Sequence, residues 1–271
     1  MRFCGVRRPA REHIVPEGDT VFRTARRLHD ALAGAEVARF ELRVPRYATA
    51  DLTGEVVHEV VPRGKHLLMR IGSFTLHSHL KMEGRWLVFR RGERWRAPAY
   101  QARAIVGTAA VDAVGFEIAM VDLVPTAEED DLVGHLGPDL LGPDWDAEES
   151  ARRILRDDRA VHVAILDQRN LAGLGNEYAN ELLFVRGILP TTPASAVDAV
   201  GLVETAARMI RANRDRASRT FTGDTRPGRQ NWVYRRERKP CLRCGTPIRR
   251  TELGATQTSE RIVFWCPRCQ S

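Results

Sequence analysis

The feature that most restricts how this chain can fold is a pair of Cys-x-x-Cys turns near its C-terminus. "CLRC" supplies Cys241 and Cys244, "CPRC" supplies Cys266 and Cys269, and 21 residues separate the two turns. Two thiolates on one tight turn converge on a single ion, and two such turns complete a tetrahedral zinc site. Disulfides or redox dithiols would be the other use. The chain has no apolar run of about 18 residues and no secretory signal, so it reads as cytosolic, where structural disulfides are not kept. Four thiolates leave no open coordination position, so the zinc they would hold is structural, one ion per chain. Residues 239–271 then form a small ribbon of two short hairpins that cannot fold without the metal. The fifth cysteine, Cys4, has no assigned role.

Ahead of the ribbon the hydrophobic period changes twice. "DTVFRTARRLHDAL" places Val21, Ala25, Leu28 and Leu32 on one face of a helix. From Val37 to Val124 the segments are short and β-rich, divided by Gly or Pro, which predicts an all-β sandwich or barrel with one attached helix. An acidic, proline-bearing stretch, "PTAEEDDLVGHLGPDLLGPDWDAEES", marks a junction, and helical patterns dominate from Ser150 onward. The expected organisation is an extension over 1–14, a β-sandwich domain over 15–130, a helical domain over 131–238 and the ribbon over 239–271. A chain of 271 residues is long enough for two such cores.

Charge is unevenly spread. The formal net charge is +7, yet Ala110 to Ser150 holds twelve acids and no Lys or Arg, whereas Thr205 to Arg250 holds fourteen Lys or Arg against three acids. Such a basic segment suits a polyanion, nucleic acid foremost. It would equally suit a solvated surface in an arginine-rich protein, since 39 of the 42 cations are Arg. "LDQRNLAGLGNEYANELLF" carries Gly173 and Gly175 in a turn before a helix starting at Asn176. Main-chain N–H groups there would point outward and form a phosphate site, although a plain helical hairpin has the same pattern.

Four motifs in order, "PEGD" at the start of the first helix, "RGKHLL" at 63–68, "LDQRNLAGLGNEYANE" and the ribbon ending "WCPRCQ", resemble the formamidopyrimidine-DNA glycosylase/endonuclease VIII family. The wordings "PEGDTV", "GKHL" and "TGDTR" are similar to its actinobacterial endonuclease VIII-like members. The resemblance spans residues 15–271. It implies an α+β multidomain protein: an N-terminal β-sandwich with a flanking helix, a helical domain with a helix–two-turn–helix, and the zinc ribbon, with damaged DNA in the cleft. The implied activity is excision of oxidised bases followed by cleavage at the abasic sugar, by a monomer with no membrane attachment.

The resemblance also assigns roles. Pro16 would be the N-terminal secondary amine that attacks C1′; an α-amino group has a pKa near ~8 and is partly unprotonated at neutral pH. Proline at the first helical position would be the ordinary alternative. Glu17 would protonate the sugar ring oxygen, or simply favour the positive helix start. Lys65, one of three lysines in the chain, would donate a proton in β-elimination and touch phosphate, or lie on a strand surface. Arg261 and Asn176 would grip the backbone flanking the flipped nucleotide. His79 and Met82 would fill the void it leaves, unless Met82 is core filler.

As numbered, Pro16 is an internal tertiary amide with no amine to react. Translation from Val15 through a GUG codon, followed by loss of the initiator Met, would free it. Two other readings compete with the enzyme: a catalytically silent DNA-binding protein, and a zinc-ribbon RNA-binding protein. The intact Glu17, Lys65 and Arg261 weigh against the first, and the motif order against the second. The interval from Arg219 to Pro240 is short for a loop that clasps 8-oxoguanine, which favours oxidised pyrimidines and abasic sites.

Overall fold

A computed structural model describes residues 15–254 and 260–271, so the reading of residues 1–14 as a start-site extension, with Cys4, lies outside the described residues. Helix α1 spans Gly18–Leu32, and the predicted face Val21, Ala25, Leu28 and Leu32 is buried throughout. Eight strands follow: β1 (Arg39–Leu42), β2 (Val57–Arg63), β3 (His66–Ile71), β4 (Phe74–His79), β5 (Arg85–Arg90), β6 (Ala102–Gly107), β7 (Val111–Phe116) and β8 (Met120–Pro125). They form two antiparallel four-stranded sheets, ordered β1-β6-β7-β5 and β2-β3-β4-β8. One core takes Phe40, Leu42, Ala104 and Val106 from the first sheet, Val57, Leu67, Met69 and Leu76 from the second, and the α1 stripe. This is the expected sandwich with its helix.

Strand alternation decides which residues leave that core. Leu67, Met69 and Ile71 of β3 point inward, so His66, Leu68 and Arg70 point the other way. Their β4 partners are His79, His77 and Thr75, and this outer face turns towards the helical part. There Leu68 packs with Val133, Leu136 and Ala172.

The helices are α2 (Glu129–Val133), α3 (Ala147–Ile154), α4 (Val161–Leu166), α5 (Asn176–Arg186) and α6 (Ala199–Arg214). Strands β9 (Arg249–Leu253) and β10 (Arg261–Trp265) pair antiparallel in the ribbon. Among the described residues no helix is long and apolar enough to cross a membrane. The centre of the helical part is α5, which is buried on nearly every side. Its polar side chains tie down neighbouring backbone: Asn180 Oδ1 accepts from Phe264 N of β10 at 2.6 Å, and Glu181 accepts from the N–H groups of Trp232, Val233 and Tyr234 at 2.8, 2.9 and 2.8 Å. Burial pushes the Glu181 carboxyl up to about 7, while those three N–H groups pull it down.

Glu181→Gln keeps the volume but puts an NH2 group against donors that need an acceptor. An unsatisfied buried donor costs about 1–3 kcal/mol, so urea unfolding of the variant should show a loss of that size. An unchanged midpoint would mean that Glu181 does not anchor the 232–234 segment.

Candidate active site at the helix junction

The acidic start of α1 is explained by a helix elsewhere in the chain. Glu17 is the residue before α1, but its side chain makes no capping bond to α1. Its carboxylate instead accepts from Gly175 N at 2.7 Å and Glu177 N at 2.9 Å, at the start of α5. A helix N-terminus has unpaired N–H groups and a positive dipole end, and the chain's own carboxylate fills it. The expectation that this turn presents its N–H groups outward to a phosphate is therefore corrected at Gly175 and Glu177. The close approach also needs glycine. A Cβ on Gly175 would lie 2.5 Å from Glu17 Cδ, and one on Gly18 would lie 3.0 Å from the Gly173 oxygen that Gly18 N donates to.

Glu17 is buried, and burial pushes its carboxyl up to about 7 against the pull of Arg219 and Lys65. It can therefore hold a proton near neutral pH, as a general acid must. Pro16 stands half-buried two positions ahead of the first α1 residue, so it is not the first-turn proline that the ordinary alternative supposed.

Lys65 lies in the turn between β2 and β3, held against the helical part by Gly64, whose N–H donates to Asp139 Oδ2 at 2.6 Å. Burial brings Lys65 down to about 8; Glu17 opposes this, while Arg261, Lys81 and Arg219 add to it. Three of the expected site residues, Glu17, Lys65 and Arg261, thus share one electrostatic neighbourhood. Asn176 joins it from α5: its Nδ2 donates to the Ile262 carbonyl at 2.9 Å, next to the exposed Arg261.

His79 has Lys65 among its charged neighbours, and Met82 follows three residues later in the turn after β4. Met82 is 52% exposed, which removes the core-filler alternative. His79 Nδ1 accepts from Lys81 N at 3.0 Å, and its ring meets His66 edge-on at 4.9 Å. Behind it His66 Nδ1 lies 2.8 Å from His77 Nε2, and His77 Nδ1 lies 3.0 Å from Asp122 Oδ2. Burial drops both His66 and His79 to about 3, so both imidazoles are neutral at pH 7. Sequence reasoning missed His66 and His77, although His66 stands inside the RGKHLL motif.

It also missed Asp19 and Arg219. Arg219 is buried and forks onto Asp19, with Nε to Oδ2 at 3.0 Å and Nη2 to Oδ1 at 2.5 Å, while Nη1 reaches Glu177 Oε2 at 2.6 Å. No local signal pairs residues 200 positions apart.

The four ribbon cysteines come together as expected. Their Sγ atoms all lie within 4.8 Å of one another, with Cys244 and Cys266 at 3.4 Å. All four are free thiols, and this donor set fits one tetrahedrally held metal ion.

Comparison with known proteins decides the family. The formamidopyrimidine-DNA glycosylase N-terminal domain matches residues 15–123, and the H2TH domain of the same glycosylases matches residues 136–212. The chain belongs to the formamidopyrimidine-DNA glycosylase/endonuclease VIII family. It is 51% identical to a probable endonuclease 8 2 of Streptomyces coelicolor, across 95% of this chain and 94% of that one. It is 49% identical to a DNA-(apurinic or apyrimidinic site) lyase Nei2 of Mycolicibacterium smegmatis, across 95% and 99%. A Lactococcus lactis Fpg solved with abasic-site DNA shares the fold at a TM-score of 0.76 and 23% identity, across 94% of this chain and 98% of that one.

For a member of this family the four thiols predict one bound metal ion per chain. Strong chelation or Cys244→Ala should release it and lower the thermal stability of the ribbon, where Cys241 and Cys266 pack with Phe184 and Phe264. Metal content near zero in a fully stable wild-type protein would contradict the site.

Proposed function

We propose that this chain is a bifunctional DNA glycosylase and AP lyase of base excision repair, acting as a monomer on damaged DNA at the nucleoid. The observation that carries the reading is the buried, protonatable Glu17 before α1 set beside Lys65, which has Arg261 as a neighbour in turn. In the reaction the Pro16 nitrogen forms a bond to C1′, the bond from C1′ to the base breaks, and the proton lost from the proline nitrogen neutralises the departing base. Glu17 gives its proton to the ring oxygen as the sugar opens, leaving a cationic iminium between C1′ and proline. That cation withdraws electrons, so loss of a C2′ proton expels the 3′ phosphate, and a second elimination expels the 5′ phosphate. Lys65 serves the first elimination as proton donor and meets a phosphate. Arg261 and Asn176 hold the backbone, with Arg261 assisting the second elimination. Met82 enters the stack where the base has left, beside His79.

Zinc is the metal that four thiolates select, and it would shape the ribbon that carries Arg261 without entering the chemistry. Oxidised pyrimidines and abasic sites are the favoured substrates, on the shortness of the interval from Arg219 to Pro240. A catalytically silent damaged-DNA-binding protein is the second reading. It would hold if Pro16 is not the mature N-terminus, since an acylated proline nitrogen is not nucleophilic.

Borohydride separates the two, because hydride reduces an iminium to a stable amine. A chain beginning at Pro16 should be trapped covalently on abasic DNA, and the 271-residue chain with its N-terminus intact should give little product. Equal trapping by both would exclude Pro16 as the nucleophile.

A further inference from the structure

Granting Pro16 as the nucleophile, we propose that Arg219 is a positioning residue that keeps the Pro16 amine unprotonated at neutral pH by neutralising the carboxylates packed around it. The chemistry creates the problem. The Pro16 amine adjoins Glu17 in sequence, and Asp19 of α1 and Glu177 of α5 both bond to the arginine that reaches the Val15 oxygen; a carboxylate close to an amine favours its protonated, unreactive form. Lys65 from the β2–β3 turn is the other charged group near Glu17, Arg261 from β10 and Lys81 stand near Lys65 in turn, and Arg23 reaches Asp19 at 3.5 Å.

Arg219 answers those acids from the middle. Its fork takes both oxygens of Asp19, its remaining arm takes Glu177, and Nη2 also lies 3.2 Å from Thr20 Oγ1. The same Nη2 lies 3.3 Å from the Val15 oxygen. That oxygen sits on the carbon bonded to the Pro16 nitrogen, so standard bond lengths put the guanidinium nitrogen within about 5.6 Å of the reacting atom. The group is fixed there: Arg219 is buried, and its guanidinium carbon stands 4.9 Å above the Tyr178 ring. A guanidinium stays charged throughout the working pH range and fits two carboxylates in a plane, which an ammonium cannot do as well. The acidic partner Asp19 also belongs to the "PEGD" start, so that motif carries one acid for α5 and one for the arginine.

The test is the pH dependence of borohydride trapping on pre-formed abasic DNA, where no base has to be expelled and the Glu17 proton is not required. The chain beginning at Pro16 is compared with its Arg219→Met, Arg219→Lys and Asp19→Asn variants. Arg219→Met should move the midpoint of the acid limb about one pH unit or more towards alkali. Arg219→Lys should stay near wild type, and Asp19→Asn should move the midpoint towards acid. Should Arg219→Met not fold, the Asp19→Asn shift decides alone. A lowered plateau with an unmoved midpoint in the folded variants would reduce Arg219 to a structural contact and overturn the proposal. Absence of trapping by the wild-type short chain at every pH would instead remove the Pro16 reading itself.

Discussion

Everything at the site depends on one carboxylate capping a helix that lies far away in the chain. Glu17 belongs to the start of α1, but its oxygens answer the orphan N–H groups of α5. A buried charge with no partner would be expensive, and a buried helix start with no acceptor would be equally so. Each supplies what the other lacks. Because α1 is fixed to the sandwich core and α5 to the helical core, the same contact sets Pro16, Lys65 and the α5 start in one place. The carboxyl proposed as the general acid is thus also a joint, which accounts for the tight Pro-Glu-Gly-Asp sequence: Gly18 leaves room for the Gly173 backbone, and Gly175 for the Glu17 side chain.

Helix α5 extends the same logic to the ribbon. Asn176 and Asn180 hold β10 through Ile262 and Phe264, and Glu181 holds the 232–234 segment. Arg261 is therefore placed by two supports, the asparagines of α5 from one side and the four-thiol cluster from the other. Both supports decide where the guanidinium stands. The ribbon contributes a position for a charge, and the sandwich contributes the turn that carries Lys65.

Local patterns were legible in the sequence, and long-range pairs were not. The α1 stripe, the period-2 segments and the two cysteine turns each encode their structure within a few residues, so their reading survives. The Gly173–Asn176 turn shows the limit. Its helix start was correctly placed, and its attraction for an anion follows from backbone physics, but nothing local says that the anion is Glu17 rather than a phosphate. Pro16 misleads similarly, since a proline near a helix start suggests the first turn while α1 begins two residues later. Asp19 with Arg219, and His66 with His77, were invisible for the same reason. A charged or aromatic side chain announces its type in a sequence, and only packing reveals its partner.

The central claim is that Glu17 is a buried acid whose proton is available near neutral pH. Carboxyl carbon chemical shifts of Glu17, followed through a pH titration of the free protein, test it most directly. The account predicts a midpoint near the value of about 7 to which burial pushes this group, with the carboxyl protonated below it and the carboxylate held by Gly175 and Glu177 above it. A midpoint near the ordinary glutamate value of ~4.3 would contradict it, because Glu17 would then be ionised at working pH and could not supply the proton that opens the sugar ring.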